Sequence, residues 1–292
     1  MINPRYIRNC VRIAGIVFST GFAYAQQAPT KILTQPVDVP FAPVTAIASG
    51  ADFNFAIRAD GKWLSWGNDN NGQLGDGGVN IQPVPVVNSL NNYTSCTAVS
   101  IGATHGVAIL TPPGTSSSNV LTWGGNGYGQ LGNWTTNNSA TPRSVTDGFA
   151  VAAGAYHTAA IRMDGTVSCW GLNSSGQLGD GTTTNELAPV QAIGITNAAA
   201  IAAGYAHTLV LKADGTVWAW GSNSNGQLGD GSTTNRLSPI QVPGLSGVIS
   251  IAAGGYHNIV LKSDGTLWVW GSNAAGQLGD GTTTQRNSPI QL

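Results

Sequence analysis

The stretch WGSNSNGQLGDGSTTNRLSPIQV, residues 220–242, decides the fold. Residues 270–292 read WGSNAAGQLGDGTTTQRNSPIQL, and residues 170–192 read WGLNSSGQLGDGTTTNELAPVQA. Working outward, the Trp-Gly pair recurs at Trp66, Trp123, Trp170, Trp220 and Trp270, at intervals of 57, 47, 50 and 50 residues. Each is followed by a Gly-Gln-Leu-Gly block and preceded by a Gly-x-x-His element ending at His105, His157, His207 or His257. In the first unit Phe53 stands where the others have His. Self-similarity at this period marks a repeat architecture.

One unit reads as four strands. In residues 248–292, VISIAA is apolar and β-branched, HNIVLK alternates with period two, and Ser263-Asp264-Gly265 is a hairpin turn. TLWVW is a third strand, and PIQL a fourth whose leading Pro suits an edge. No segment has the period of a long amphipathic helix. A lone four-stranded sheet cannot bury two apolar faces, so each unit needs another on either side. The expected fold is all-β: a β-propeller of about five four-stranded antiparallel blades spanning 44–292, as a closed ring or an incomplete arc. A linear β-solenoid is the competing architecture, but it has shorter coils and no regular Asp-Gly hairpin.

Composition agrees. Charged residues make up 9% of the 292, against about 25% in an average domain. Forty Gly suit tight turns, while 41% hydrophobic residues and nine Trp supply a core. Arg5, Arg8 and Arg12, the apolar run Ile13 to Ala23 and the Ala23-Tyr24-Ala25 site form the pattern of a secretory signal over 1–25. The apolar run is too short to span a bilayer, and no other candidate span follows. The expected location is secreted or periplasmic. Residues 26–43 form a lead-in carrying Pro36-Val37-Asp38-Val39, a spare copy of the outer-strand sequence Pro289-Ile290-Gln291-Leu292. We expect the C-terminal copy to complete the last blade, because local pairing costs less loop entropy.

Cleavage takes three of the 12 basic residues and no acid, leaving nine against 13 acids and a net charge of −4. No basic cluster remains to neutralise phosphates, so nucleic acid is not an expected partner. Cys10 leaves with the signal. Cys96 and Cys169 could pair in an oxidising compartment or stand as two buried thiols.

The repeated residues read as structural. Equivalent His on blades about 10 Å apart are too distant to share a metal ion bound at about 2 Å. They are expected to bond the local backbone, and Trp66, Trp123, Trp170, Trp220 and Trp270 to plug the gaps between blades. Eight of the 13 acids sit in the repeated Asp-Gly and Gly-Asp-Gly turns, and no placed carboxylate pair for acid–base work is evident. The Gly-Asp-Gly loop offers oxygens to calcium but lacks several carboxylates. No catalytic residue, metal or cofactor is expected.

The candidate partner contacts are Trp134, Tyr128, Tyr156, Tyr205 and Tyr256. Trp134 interrupts the Gly-Asp-Gly loop of the second unit, which also replaces its Asp-Gly hairpin with LTPPGTSSSN, residues 110–119. Longer loops on a rigid scaffold often carry binding.

The combined pattern IAAG-x-x-H-T, K-x-DGT-V-x-x-WG-x-N-x-x-GQLGDG-T-T-T-N resembles the repeat of the regulator of chromosome condensation family, over roughly Val44 to Leu292. The resemblance implies propeller blades, most often seven per ring, where this chain has five. It implies binding to another macromolecule: an unknown protein or cell-surface partner for a secreted, non-enzymatic scaffold, expected to be a bacterial member of the family. The alternative is guanine-nucleotide exchange on a small GTPase, the activity of the family's namesake. A propeller enzyme is the third reading, and the acids argue against it.

Overall fold

A computed structural model describes residues 42–88, 95–112, 114 and 118–292. The stretch expected to be a secretory signal, most of the lead-in with its expected spare strand, and part of the 110–119 loop lie outside them. The described residues form five four-stranded antiparallel sheets and no helix.

Blade 1 holds β1 (Val44–Ser49), β2 (Phe53–Arg58), β3 (Trp63–Gly67) and β4 (Gln82–Asn88). Blade 2 holds β5 (Ser95–Ile101), β6 (His105–Thr111), β7 (Asn119–Gly124) and β8 (Ser139–Asp147). Blade 3 holds β9 (Ala150–Ala153), β10 (His157–Ile161), β11 (Val167–Gly171) and β12 (Glu186–Gln191). Blade 4 holds β13 (Ala198–Ala203), β14 (His207–Lys212), β15 (Val217–Gly221) and β16 (Arg236–Gln241). Blade 5 holds β17 (Val248–Ala253), β18 (His257–Lys262), β19 (Leu267–Gly271) and β20 (Arg286–Gln291). In every sheet the strands pair in chain order, and β20 pairs with β19 through Trp268↔Gln291 and Val269↔Ile290.

Period-two alternation gives each sheet two working faces. In blade 2 the face turned to blade 1 carries Val99, Ala108, Leu121 and Trp123, which pack with Phe53, Phe55, Ile57 and Trp63. The opposite face carries Val107, Ile109 and Val120, which pack with Val151, Ala153, Ala160 and Trp170 of blade 3. The same division recurs down the chain. Inner strands lie side by side in the order β1, β5, β9, β13, β17.

The described residues do not close a ring. Ile47, on the outward face of blade 1, is 68% exposed, whereas its counterpart Val99 in blade 2 is 8% exposed. At the other end Ile259 is 36% exposed and its counterpart Leu209 is fully buried. Trp123, Trp170, Trp220 and Trp270 are fully buried, but Trp66 is only half-buried. The expectation that all five Trp plug gaps is corrected for Trp66, because among the described residues no blade precedes it.

Candidate functional site

Strands alternate in direction, so the β1–β2 and β3–β4 types of loop emerge at one end of every blade. The Asp-Gly hairpins and the connections between blades emerge at the other. The first end therefore gathers the Gly-x-x-His loops near the axis and the Gly-Gln-Leu-Gly loops further out.

The Gly-x-x-His loops are built around the imidazole. Gly102, Gly154, Gly204 and Gly254 each lie under the His three residues on, where a Cβ would collide with the ring. His105 Nε2 lies 2.9 Å from Thr158 Oγ1, His157 Nε2 3.1 Å from Thr208 Oγ1, and His207 Nε2 2.9 Å from Asn258 Oδ1. Each bond crosses to the next blade. The His therefore does not serve the local backbone as the sequence suggested; it is half of a clamp between blades. The other half is also cross-blade: Thr158, Thr208 and Asn258 donate back to the carbonyls of Gln130, Gln177 and Gln227 at 2.7–2.9 Å. Trp170, Trp220 and Trp270 donate their indole N–H to the same carbonyls at 2.9 Å.

These bonds assign the proton. The Thr hydroxyl hydrogen goes to the Gln carbonyl and Asn258 Oδ1 can only accept, so Nε2 carries the N–H in all three rings. Burial pushes His105 and His207 down to about 4 and His157, which also feels its two His neighbours, down to about 3. The imidazoles are neutral structural donors. Among the described residues no blade packs beyond His257, which is half-buried and has its pKa lowered by what burial it has.

The first junction is built differently. Phe53 replaces His, and Gly106 stands where the next blades have Thr or Asn. A Cβ on Gly106 would strike the Trp123 ring. Phe55, Trp63 and Trp123 fill the junction, with the two indoles 4.9 Å apart. Trp123 Nε1 still donates to the Gln73 carbonyl at 2.8 Å.

Backbone bonds link the inner loops into a belt. Ala103 N–H donates to the Ala155 carbonyl and Ala155 N–H to Tyr205, both at 3.1 Å, and Tyr205 N–H donates to Gly255 at 3.0 Å. The belt borders a shallow depression lined almost wholly by Gly and Ala, with Ile101 and Tyr205. Among the lining residues none is an acid or base suited to turnover at neutral pH. Among the described residues no group of three or more His, Cys, Asp or Glu is placed to hold a metal. Cys96 and Cys169 are both free thiols. Burial pushes Cys96 up to about 12 and Cys169 up as well.

The five candidate contacts all lie on this loop end. Tyr128 and Tyr156, from blades 2 and 3, pack at 5.2 Å between ring centres. Tyr205 and Tyr256, from blades 4 and 5, are stacked at 5.3 Å. Tyr128 and Tyr256 are exposed. The structure pairs these side chains, which the linear sequence keeps far apart.

Trp134 is 80% exposed and has φ +66°. It occupies the position of Gly77, Gly181 and Gly231, all at positive φ. The conformation aims the N–H at the next blade: Trp134 N–H bonds the Leu187 carbonyl at 2.8 Å, as Gly181 N–H bonds Leu237 at 2.9 Å. A left-handed conformation costs a bulky L-residue about 1–2 kcal/mol.

Sequence reasoning missed Asp69. It stands where the other four loops have Asn126, Asn173, Asn223 and Asn273, a signal visible on aligning the repeats. It is fully buried, and its Oδ1 accepts the Leu74 N–H at 2.8 Å, as Asn173 Oδ1 accepts Leu178 N–H at 3.0 Å. Its Oδ2 has no hydrogen-bond partner. Burial pushes this carboxyl up to about 6; the Leu74 bond opposes the shift, and the Asp76 carboxylate facing it adds to it.

Comparison with known proteins agrees with this architecture. Human WBSCR16 superposes with a TM-score of 0.76 at 23% identity, over 88% of this chain and 70% of that one. Prp20p of Saccharomyces cerevisiae superposes with a TM-score of 0.75 at 21% identity, over 85% of this chain and 63% of that one. In sequence, RUG3, a mitochondrial RCC1 domain-containing protein of Arabidopsis thaliana, is 34% identical over 118 residues, 39% of this chain and 25% of RUG3. The ultraviolet-B receptor UVR8 of the same plant is 33% identical over 136 residues, 45% of this chain and 30% of the receptor. The matched segments thus span less than a third of these relatives' lengths. The family profile described as RCC1-like domain matches residues 14–292. With that profile spanning all five blades, the chain belongs to the RCC1-like domain family.

Proposed function

We propose that this chain is a non-enzymatic binding scaffold that works outside the cytoplasm and holds a macromolecular partner on its loop end. The observation that carries the reading is Trp134. A large apolar side chain stands in solvent at a position whose backbone favours Gly. Strain of this kind clusters at sites of function, and nothing in the fold needs an indole there. Tyr128 and Tyr156, then Tyr205 and Tyr256, extend the aromatic surface across four blades. Aromatic side chains are the usual anchors of protein interfaces. The arginine-led apolar run before Ala25 supports export, with the mature chain beginning at Gln26.

Two measurements test this. N-terminal sequencing of exported protein should begin at Gln26, and a retained Met1 on a cytoplasmic species contradicts export. Capture from the extracellular milieu should retain a partner on the native chain and on Lys212→Ser at the opposite end, and lose it on Trp134→Gly and Tyr256→Ala. Equal capture by all four proteins contradicts the loop end as the binding surface.

A further inference from the structure

The loops after β7, β11, β15 and β19 share one internal lock. The Asn amide Nδ2 donates to the side chain seven residues on: Asn126 to Asn133 Oδ1, Asn173 to Asp180 Oδ1, Asn223 to Asp230 Oδ1 and Asn273 to Asp280 Oδ1, all at 3.0–3.1 Å. It also donates to main-chain carbonyls nine and eleven residues on. Asn223 reaches Ser232 O at 3.2 Å and Thr234 O at 3.1 Å; Asn273 reaches Thr282 O at 3.0 Å and Thr284 O at 3.1 Å. One positive amide edge thus sits among three or four oxygen acceptors.

The loop after β3 has the same backbone, with Gly72, Gly75 and Gly77 at positive φ like Gly176, Gly179 and Gly181. Asp69 anchors it through Oδ1 just as the Asn residues do. Carboxylate and carboxamide have the same shape, so Asp69 Oδ2 lies where the others carry Nδ2. The donor has become an acceptor, and by analogy with the other four loops the positions seven, nine and eleven residues on supply the oxygens that would surround it. Asp76 is seven residues on, its Oδ1 already taking the Gly78 N–H at 2.8 Å, and its carboxylate faces Asp69. The carbonyls nine and eleven residues on belong to Gly78 and Asn80. Gly78 also replaces the residue whose hydroxyl donates to the Asp in other blades, such as Thr182 to Asp180 at 3.0 Å. A Cβ on Gly78 would sit 3.2 Å from Asp76 Oδ1, so its absence leaves room beside that carboxylate. Asp69 Oδ2 is buried and has no hydrogen-bond partner.

We infer that the loop after β3 binds one hard divalent cation of the calcium class. Its ligands are the carboxylates of Asp69 and Asp76 and the carbonyls of Gly78 and Asn80, with water completing the shell. Calcium takes six to eight oxygen ligands and tolerates irregular geometry. The cation supplies the positive charge that the Asn amide supplies in the other four loops. The site is on the exposed side of the loop, where Gly77 and Asn80 are open to solvent.

The test is calcium titration of the whole chain at pH 7.5, by calorimetry and by thermal melting in EDTA against calcium. One calcium per chain is expected, with a melting temperature that rises with calcium concentration. Asp69→Asn restores the lock of the other blades; it should abolish calcium binding and melt at the same temperature with or without calcium. Asn173→Asp writes the carboxylate into a second loop and should raise the stoichiometry from one to two, or leave it at one if Thr182 crowds the ion. In the latter case Asn173→Asp with Thr182→Gly should bind two. A native chain that binds no calcium, or an Asp69→Asn variant that binds as well as the native chain, overturns the inference. The first result leaves a proton shared by Asp69 and Asp76 as the neutralising charge.

Discussion

His207 Nε2 stands 2.9 Å from Asn258 Oδ1, and Asn258 Nδ2 stands 2.7 Å from the Gln227 carbonyl. This pair ties the second strand of blade 4 to the second strand of blade 5 and returns to the loop of blade 4. Removing His207 leaves a buried Asn oxygen without a donor. His207→Phe should therefore cost about 1–3 kcal/mol in urea denaturation. His257→Phe, on a half-buried ring at the exposed end of the described blades, should change stability by less than about 0.5 kcal/mol. Equal losses for the two variants contradict the clamp.

The first junction makes the reverse prediction. Phe53→His would place a buried N–H against Gly106, which offers no side-chain acceptor. Gly106→Thr would drive a Cβ into the Trp123 ring. Both single variants should lower stability by about 1–3 kcal/mol, and the double variant should not recover it. Recovery in the double variant would mean that the aromatic junction can convert to the His–Thr type.

The buried imidazoles give the fold an acid-sensitive range. Their folded pKa values, about 4 for His105 and His207 and about 3 for His157, lie below the usual value of about 6.5. Above that usual value both states are neutral and pH has no effect through these groups. Below it the unfolded chain takes up protons that the folded chain refuses, so stability falls as pH drops toward 4. Each ring can cost up to about 1.4 kcal/mol per pH unit within its window. Denaturation midpoints measured from pH 7.5 to 4.5 should fall in the native chain and fall less in His105→Phe.

Trp170 is fully buried and bonded to the Gln130 carbonyl; Trp66 holds the same repeat position on an open face. Trp170→Ala should cost about 3–5 kcal/mol. Trp66→Ala should cost less than half as much, because part of its surface is already in water.

Trp134→Gly should stabilise the chain by about 0.5–1 kcal/mol, as Gly adopts the left-handed conformation without a Cβ penalty and only part of the gain is offset by its unfolded-state entropy. The same change should weaken partner capture. A variant that loses stability would mean the indole packs for structural reasons.

The repeat was legible in the linear sequence because a blade is a local object. Period-two alternation in HNIVLK, the Asp264-Gly265 turn and the recurrence of Trp-Gly each act within about 50 residues, and their sum is a four-stranded sheet. The exposed indole of Trp134 was legible for the same reason: one loop departs from four copies of itself. Asp69 was legible in principle by that comparison. What only the tertiary structure decided are the relations between blades. The His105–Thr158 bond joins residues 53 positions apart, and the tyrosine pairs meet only because successive loops emerge at one end. The open arc is of this kind too. Trp66 and Trp170 carry the same repeat signature, and their burial differs because one has a neighbouring blade and the other does not. Repeat sequence encodes both faces of every blade alike; whether a face is covered depends on the rotation accumulated along the arc, which no single repeat contains.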